Sequence, residues 1–331
     1  MSCAPCTNRE VYFREALLFQ GKLTTEELTA LDALADAVEI QRLHKMSVLT
    51  DPISAPANAK TLSTRFVRTW REKVDSSGRA VWFRRSRFVA REFAWMQHDR
   101  DTFFSPASSN IVARLLPAMF LDLRENEEAL MMAIDIKDAF LTVAQQTPTV
   151  VSCQLANGEV RDYSLGRVFP GQRDESLLWH QAITGLLKSE LSMEEHIPYP
   201  CILKTPDANC MVLVHVDDIL VVGRKKFVME KLVKCLEKNY SISTQTLEQP
   251  GDELTFLKRT ICLQHDNRMT IQMHHKHGQH VCGLFGLNPK LQNKKTAGHS
   301  AMDEIDDSGS LDNVPSWNLS SMCRCSSLFS C

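Results

Sequence analysis

Between residues 24 and 40, apolar residues recur at helical spacing, at Leu28, Leu31, Ala35 and Val38, behind Thr24 and Glu27 placed as a capping box. One face of this helix should therefore pack on a neighbour. After a linker-like DPISAPANAK at 51–60, residues 66–93 alternate around DSSG, the pattern of a hairpin, here with many arginines. Residues 103–123 carry the spacing of a helix interrupted near Pro117. ALMMAIDIKDAFLTV, 129–143, begins as an apolar strand that runs into Asp135. Residues 177–190 and 225–240 are helical by spacing, the second through Val228, Leu232, Cys235 and Leu236. Between these helices MVLVHVDDILVVG holds two aliphatic runs, 211–216 and 219–223, and separates them by Asp217 and Asp218. That is a hairpin signal with the aspartates at its tip. Strand, helix, hairpin and helix in this order predict an α+β fold with helices on one side of an antiparallel sheet.

Composition sets the scale. With 331 residues, 44% of them apolar and 24% charged, the chain can bury a sizeable core in one large domain or two intimate ones. Lys+Arg 38 against Asp+Glu 40 gives a net charge of −2, so any polyanion partner must be held by a local patch. Arg84, Arg85, Arg87 and Arg91, interleaved with Trp82, Phe83 and Phe88, form such a patch; a solvated strand face fits the segment equally well. Eleven irregularly spaced cysteines and no apolar leader point to free thiols in a reducing, intracellular setting, cytoplasmic or nuclear and not secreted. No run is long enough to span a membrane. Cys3 with Cys6, and Cys323 with Cys325, lack the second half of a zinc site, and His274, His275, His277 and His280 lack an acidic or thiol co-ligand. Terminal thiols and a solvated basic segment are the better readings.

The paired aspartates carry the chemistry. Acidic side chains are seldom buried without a partner, so at 217 and 218 either the chain turns into solvent or a cation is bound. If the strand ending at Asp135 lies beside the hairpin, three carboxylates meet at one sheet edge. Such a cluster is repulsive unless it binds divalent cations, and Mg²⁺ takes hard oxygen ligands. Two ions about 4 Å apart can activate a 3′-hydroxyl and stabilise a leaving pyrophosphate, as polymerases do.

In a single order, RRSRFVAREF, FFSPAS, DIKDAFL, PGQRDESLLW, HVDDIL and LTFLKRTI resemble the motifs of the reverse transcriptase of copia-type LTR retrotransposons, with KTAGHS resembling a stretch beyond the polymerase core. The resemblance covers approximately residues 24 to 305. It implies an RNA-directed DNA polymerase with a right-hand polymerase fold: fingers at about 60–125, a palm with an antiparallel sheet packed on helices at about 126–260, and the start of a thumb at about 261–300. These lie within a domain at 24–300, between a tail at 1–23 and a disordered tail at 301–331. It implies Asp135, Asp217 and Asp218 as catalytic carboxylates holding Mg²⁺ or Mn²⁺. Phe140 would lie under the incoming sugar and exclude a 2′-hydroxyl, unless it is a plain core phenylalanine. Gln172 and Arg173 would line the nucleotide and template side. Arg85, Arg87 and Arg91 would grip phosphates of a triphosphate or template. The implied partners are deoxynucleoside triphosphates and an RNA or DNA template with primer, and no membrane.

Three positions depart from the family pattern. His215 stands at its tyrosine, Glu92 at a glycine of the basic strand, and Lys258 at the glycine of the F-L-G motif. Capsid, protease, integrase and ribonuclease H regions are not recognisable, and NVPSWNLSSMCRCSSLFSC reads as an end made by a stop or altered frame. Two classes stay open: an active polymerase, favoured by the intact carboxylates, and a decayed fragment that at most binds nucleic acid, favoured by the departures.

Overall fold

The computed structural model describes Val11–Tyr12 and, apart from short gaps, residues 23–93 and 110–286. Cys3, Cys6, Cys323, Cys325, the FFSPAS and KTAGHS stretches and the expected tail at 301–331 lie outside the described residues. In chain order the elements are β1 (Val11–Tyr12), α1 (Thr25–Lys45), β2 (Leu49–Thr50), β3 (Lys60–Val74), β4 (Ala80–Ala90), α2 (Asn110–Asn126) and β5 (Ala129–Ile136). A 3₁₀ turn (Ala139–Thr142), β6 (Thr149–Gln154), β7 (Val160–Leu165), α3 (Glu175–Leu191), β8 (Glu194–His196) and β9 (Tyr199–Lys204) follow. Next come β10 (Cys210–His215), β11 (Asp218–Arg224), α4 (Lys225–Phe227), a π-helical turn (Val228–Val233) and α5 (Lys234–Asn239). The last are β12 (Ile242–Leu247), β13 (Glu253–Phe256), β14 (Arg259–Leu263), β15 (Met269–Met273) and α6 (His275–Leu284). They form two compact units interleaved in sequence: residues to 106 with Ile136–Ser192 and Glu237–Ser241, and Ala107–Asp135 with Met193–Leu236 and residues from Ile242 onward.

In the first unit a six-stranded sheet runs β1-β4-β3-β6-β7-β2, with β3 and β6 parallel. Its core is Leu43, Val48, Leu49, Leu62, Phe88, Val151 and Phe169. The expected capping box of α1 is complete, Glu27 N–H donating to Thr24 Oγ1 at 3.2 Å and Thr24 N–H to Glu27 Oε2 at 2.8 Å. Its packed face differs from the expected apolar stripe. Ala35, Asp36, Glu39 and Leu43 are buried, while Leu28, Leu31 and Val38 are only half-buried. Asp36 is there because the β3–β4 hairpin brings Arg68 and Ser86 to it, and Glu39 because Arg42 of the same helix forks onto it at 2.8 Å. Arg68 forks onto Asp36 (2.6 and 3.1 Å), Ser86 Oγ donates to the same carboxylate at 2.6 Å, and Arg84 Nε donates to Asp32 at 2.6 Å while lying over the Trp70 ring.

The second unit holds a sheet ordered β12-β5-β11-β10-β9-β8 and a three-stranded sheet β13-β14-β15. Pairings from β5 through β11, β10 and β9 to β8 are all antiparallel, as expected. Contrary to expectation, α2 runs uninterrupted through Pro117. An interior proline costs about 3 kcal/mol. Its neighbours Leu116 and Phe120 are completely buried in the core with Met131, Leu213 and Leu220, and each such side chain returns about 1.5–3 kcal/mol. Packing therefore overrides the break. The helix expected at 225–240 forms with a π turn inside it, which shifts the phase of its face: Val228, Leu232, Val233 and Leu236 are buried and Cys235 is not. Over His275–Leu284 the backbone is helical; the side chains of His274, His275, His277 and His280 lie outside the described residues.

Candidate active site

Strand β5 is buried at every position from Leu130 to Ile134 and then delivers Asp135 to solvent. Hydrophobic burial thus fixes where the carboxylate emerges. The register of β10 with β11 pairs Val214 with Ile219 and His215 with Asp218. The two-residue turn is therefore Val216–Asp217, one residue earlier than the aliphatic runs suggested. Asp217 sits exposed at the tip, and Asp218 becomes the first residue of β11. Directly opposite Asp218 on the next strand is Asp135. Paired residues of an antiparallel ladder share a face, with Cα atoms about 4.5–5.5 Å apart. Val216 makes the turn at φ +56°, a conformation that a β-branched residue adopts at a cost of order 1–3 kcal/mol.

Among the described residues the charge at this edge is uncompensated. Burial first, then the neighbouring Asp217 and Asp135, lift the Asp218 carboxyl to about 6. Among the described residues none of the three carboxylates forms an ion pair, and no group of three or more His, Cys, Asp or Glu side chains already converges as a ligand set. The donor set nevertheless suits a hard divalent cation: two carboxylates face each other across a ladder, a third adjoins them in sequence, and all are oxygen donors lacking a counter-charge among the described residues. Burial lowers the pKa of His215, with Asp217 pulling it back up. A cavity of about 140 Å³ adjoins the pair, lined by Ala133, Ile134, Asp135, Asp218, Ser243, Gln245, Thr255 and Phe256.

A protein-family model described as reverse transcriptase (RNA-dependent DNA polymerase) matches residues 49–279. The chain belongs to the reverse transcriptase family. Its antiparallel sheet with the aspartate hairpin is accordingly the palm of a right-hand polymerase fold. No curated protein matches by sequence. Similar solved structures include apo telomerase from Candida tropicalis truncated from its C-terminal domain, with 10% identity, TM-score 0.47, and coverage of 74% of this chain and 60% of that one. Another is the foamy viral protease-reverse transcriptase in complex with dsDNA, with 14% identity, TM-score 0.42, and coverage of 77% and 44%. The chain thus spans three-fifths or less of the length of these structures.

The remaining candidates lie in the first unit. Strand register divides its arginines into two sets. Arg84 does not join Arg85, Arg87 and Arg91: it faces α1 together with Arg68. The other face carries Arg85 and Arg87, with Arg91 just beyond the strand end and bonded through its N–H to Ser63 O. Arg65 and Arg71, paired with Val89 and Phe83, fall on the same face. These two were missed, although alternation from Arg85 through the paired strand marks them. Arg85 is half-buried, and burial followed by Arg87 and Arg71 lowers its pKa. Gln172 and Arg173 sit in the loop between Phe169 and α3, where Gln172 is buried and Arg173 half-buried. Phe140 is half-buried in the 3₁₀ turn. No helix among the described residues is long and apolar enough to cross a membrane.

Proposed function

We propose that this chain is the reverse transcriptase of a copia-type retrotransposon, extending a primer 3′-hydroxyl on an RNA or DNA template from deoxynucleoside triphosphates. The observation that carries the reading is the Asp218–Asp135 pair with Asp217 beside it, three like charges held together without a cation among the described residues. Asp135, Asp217 and Asp218 would hold Mg²⁺ or Mn²⁺, which when bound lowers the cost of ionising the attacking hydroxyl and of charge on the leaving pyrophosphate. The chain's own residues do the rest. The β5–β11 ladder fixes the carboxylates in place, and His215, with its depressed pKa, presents a neutral ring beside them. Gln172 and Arg173 would contact the nucleotide, Phe140 would exclude a 2′-hydroxyl, and Arg85, Arg87 and Arg91 would hold phosphates as fingers residues. Fingers, palm and the beginning of a thumb divide the chain as the motif order suggests, and the protein works inside the cell.

A second reading, a fragment that binds nucleic acid without chemistry, draws support from Lys258. It occupies φ +60° beside Leu257 at φ +47°, where the family's glycine would be unstrained. Primer extension on an RNA template with Mg²⁺ or Mn²⁺ decides between them. The polymerase reading expects incorporation that Asp217→Asn removes while fold and nucleic-acid binding persist. No incorporation by the unmodified chain, unrestored by His215→Tyr with Lys258→Gly, overturns it.

A further inference from the structure

Glu92, the residue that departs from glycine in the basic strand, is buried: its side chain is 1% exposed and lies just beyond the end of β4. A carboxylate placed there without partners would cost several kcal/mol. It has two. Lys60 Nζ stands 2.6 Å from Glu92 Oε1, too poorly aligned for a hydrogen bond and therefore a charge pairing, and Arg173 N–H donates to Glu92 Oε2 at 3.1 Å. The second bond ties the strand end to the loop that carries Gln172 and Arg173.

That loop is fixed at each residue. Ala90 N–H donates to Pro170 O at 2.8 Å, and a Cβ on Gly171 would fall 2.3 Å from Ala90 O, so only glycine, at φ +91°, lets the loop lie this close. Gly171 N–H donates to Glu175 Oε2 at 2.6 Å. Gln172 is 3% exposed; its Oε1 accepts from Phe169 N–H at 2.5 Å, while its Nε2 has no hydrogen-bond partner among the described residues. A buried amide donor left open while its oxygen is locked is oriented for an acceptor that the chain does not itself supply.

We propose that Glu92, clamped by Lys60, is a positioning residue that pins the 169–175 loop so that Gln172 Nε2 meets an oxygen acceptor of a nucleoside triphosphate. The inference rests on the polymerase reading for the identity of that ligand. Glu92 is then a working part of this chain and not a lesion. Glycine at 92 would leave Lys60 without its partner and free the Arg173 N–H. The loop would keep its other bonds but lose the one adjacent to Gln172.

The test uses the full chain with a primer and template and dTTP as probe. Glu92→Gly should raise KM for dTTP about tenfold with kcat changed less than about threefold, because misplacement of a binding donor weakens ground-state contact. Glu92→Gln, which keeps an oxygen for Arg173 N–H, should restore KM to within about threefold of the unmodified chain. Amide exchange of peptides spanning 169–175 gives a readout that needs no turnover: dTTP should protect them in the unmodified chain and in Glu92→Gln, and not in Glu92→Gly. If the variants lose thermal stability with KM and dTTP protection unchanged, Glu92 is structural only and the proposal falls. If the chain extends no primer yet dTTP protects the loop in this pattern, the polymerase reading fails and the positioning role stands. Absence of protection by dTTP in the unmodified chain overturns the proposal whether or not primers are extended.

Discussion

On the face of the β3–β4 hairpin that meets α1, Arg68 and Arg84 are answered by Asp36 and Asp32 at 2.6 Å, whereas at the tip of β10–β11 three carboxylates share one edge with no cation beside them among the described residues. Both hairpins bring charge into a packed unit. In the first, removing a partner exposes the desolvation cost of the other, so the charge serves the fold. In the second, like charges cost stability that the fold would recover by losing them, so their presence together points to chemistry. Matched charge marks structure here, and unmatched charge marks the site.

The largest effect should come from the unmatched set. Asp217→Asn or Asp135→Asn should lower primer extension by about 10³-fold or more, since a neutral amide cannot hold a divalent cation where charge develops, while the unfolding midpoint is kept or raised. Lost extension accompanied by an equal loss of folded structure would break the contrast.

Glu175 offers a pH version of the same comparison. It accepts one backbone N–H, but burial dominates and raises its carboxyl from an ordinary 4.5 to about 7. A folded value above the unfolded one gives a contribution that is complete below about 4.5 and lost as pH rises through about 7. Relative to Glu175→Gln, the native chain should therefore lose about 3 kcal/mol between pH 4.5 and 8, read from urea unfolding across that range. A pH-independent difference between the two would show that the carboxyl is effectively solvated.

The two faces of the arginine hairpin should respond separately. Arg68→Ala should destabilise the chain by about 2 kcal/mol, because it leaves the buried Asp36 with Ser86 alone, and should leave the salt dependence of nucleic-acid binding unchanged. Replacing Arg85, Arg87 and Arg91 by alanine should do the reverse, weakening binding about tenfold and reducing the slope of log affinity against log salt by about 2. An unaltered slope in the triple variant would reduce that face to solvated surface.

Much of this was legible in the sequence, and the reasons are physical. Apolar runs bounded by aspartates announced β5 and the β10–β11 hairpin because burial on both faces leaves no other register for five consecutive apolar residues. The turn was read one residue late because two adjacent aspartates look more turn-compatible than a valine, and only pairing of Val214 with Ile219 places Val216 in the loop. The buried face of α1 was misread because Asp36 is packed by partners 32 and 50 residues away in sequence. Pro117 was read as a break because the burial of Leu116 and Phe120 is a tertiary fact. Glu92 was read only as a departure from the family's glycine, since nothing in a single sequence ties it to Lys60 and to the N–H of Arg173.

The smallest effect concerns backbone strain, where the same contrast between structural and functional cost can be drawn within one unit. The β10–β11 and β13–β14 hairpins both close on two-residue loops that place non-glycine residues at positive φ, Val216 at +56° and Leu257 with Lys258 at +47° and +60°. Glycine is the residue such turns favour. At Lys258 no carboxylate depends on the turn, so Lys258→Gly should relieve the left-handed strain and stabilise the chain by roughly 1 kcal/mol, net of the greater freedom glycine has when unfolded. At Val216 the same relief should come with a loss, because the residue sets the step between His215 and Asp217: Val216→Gly should gain similar stability and extend primers more slowly. Unfolding midpoints and extension rates measured on the two variants decide it. If Val216→Gly keeps full extension, the strain at the aspartate turn has no bearing on the site and the two hairpins are equivalent.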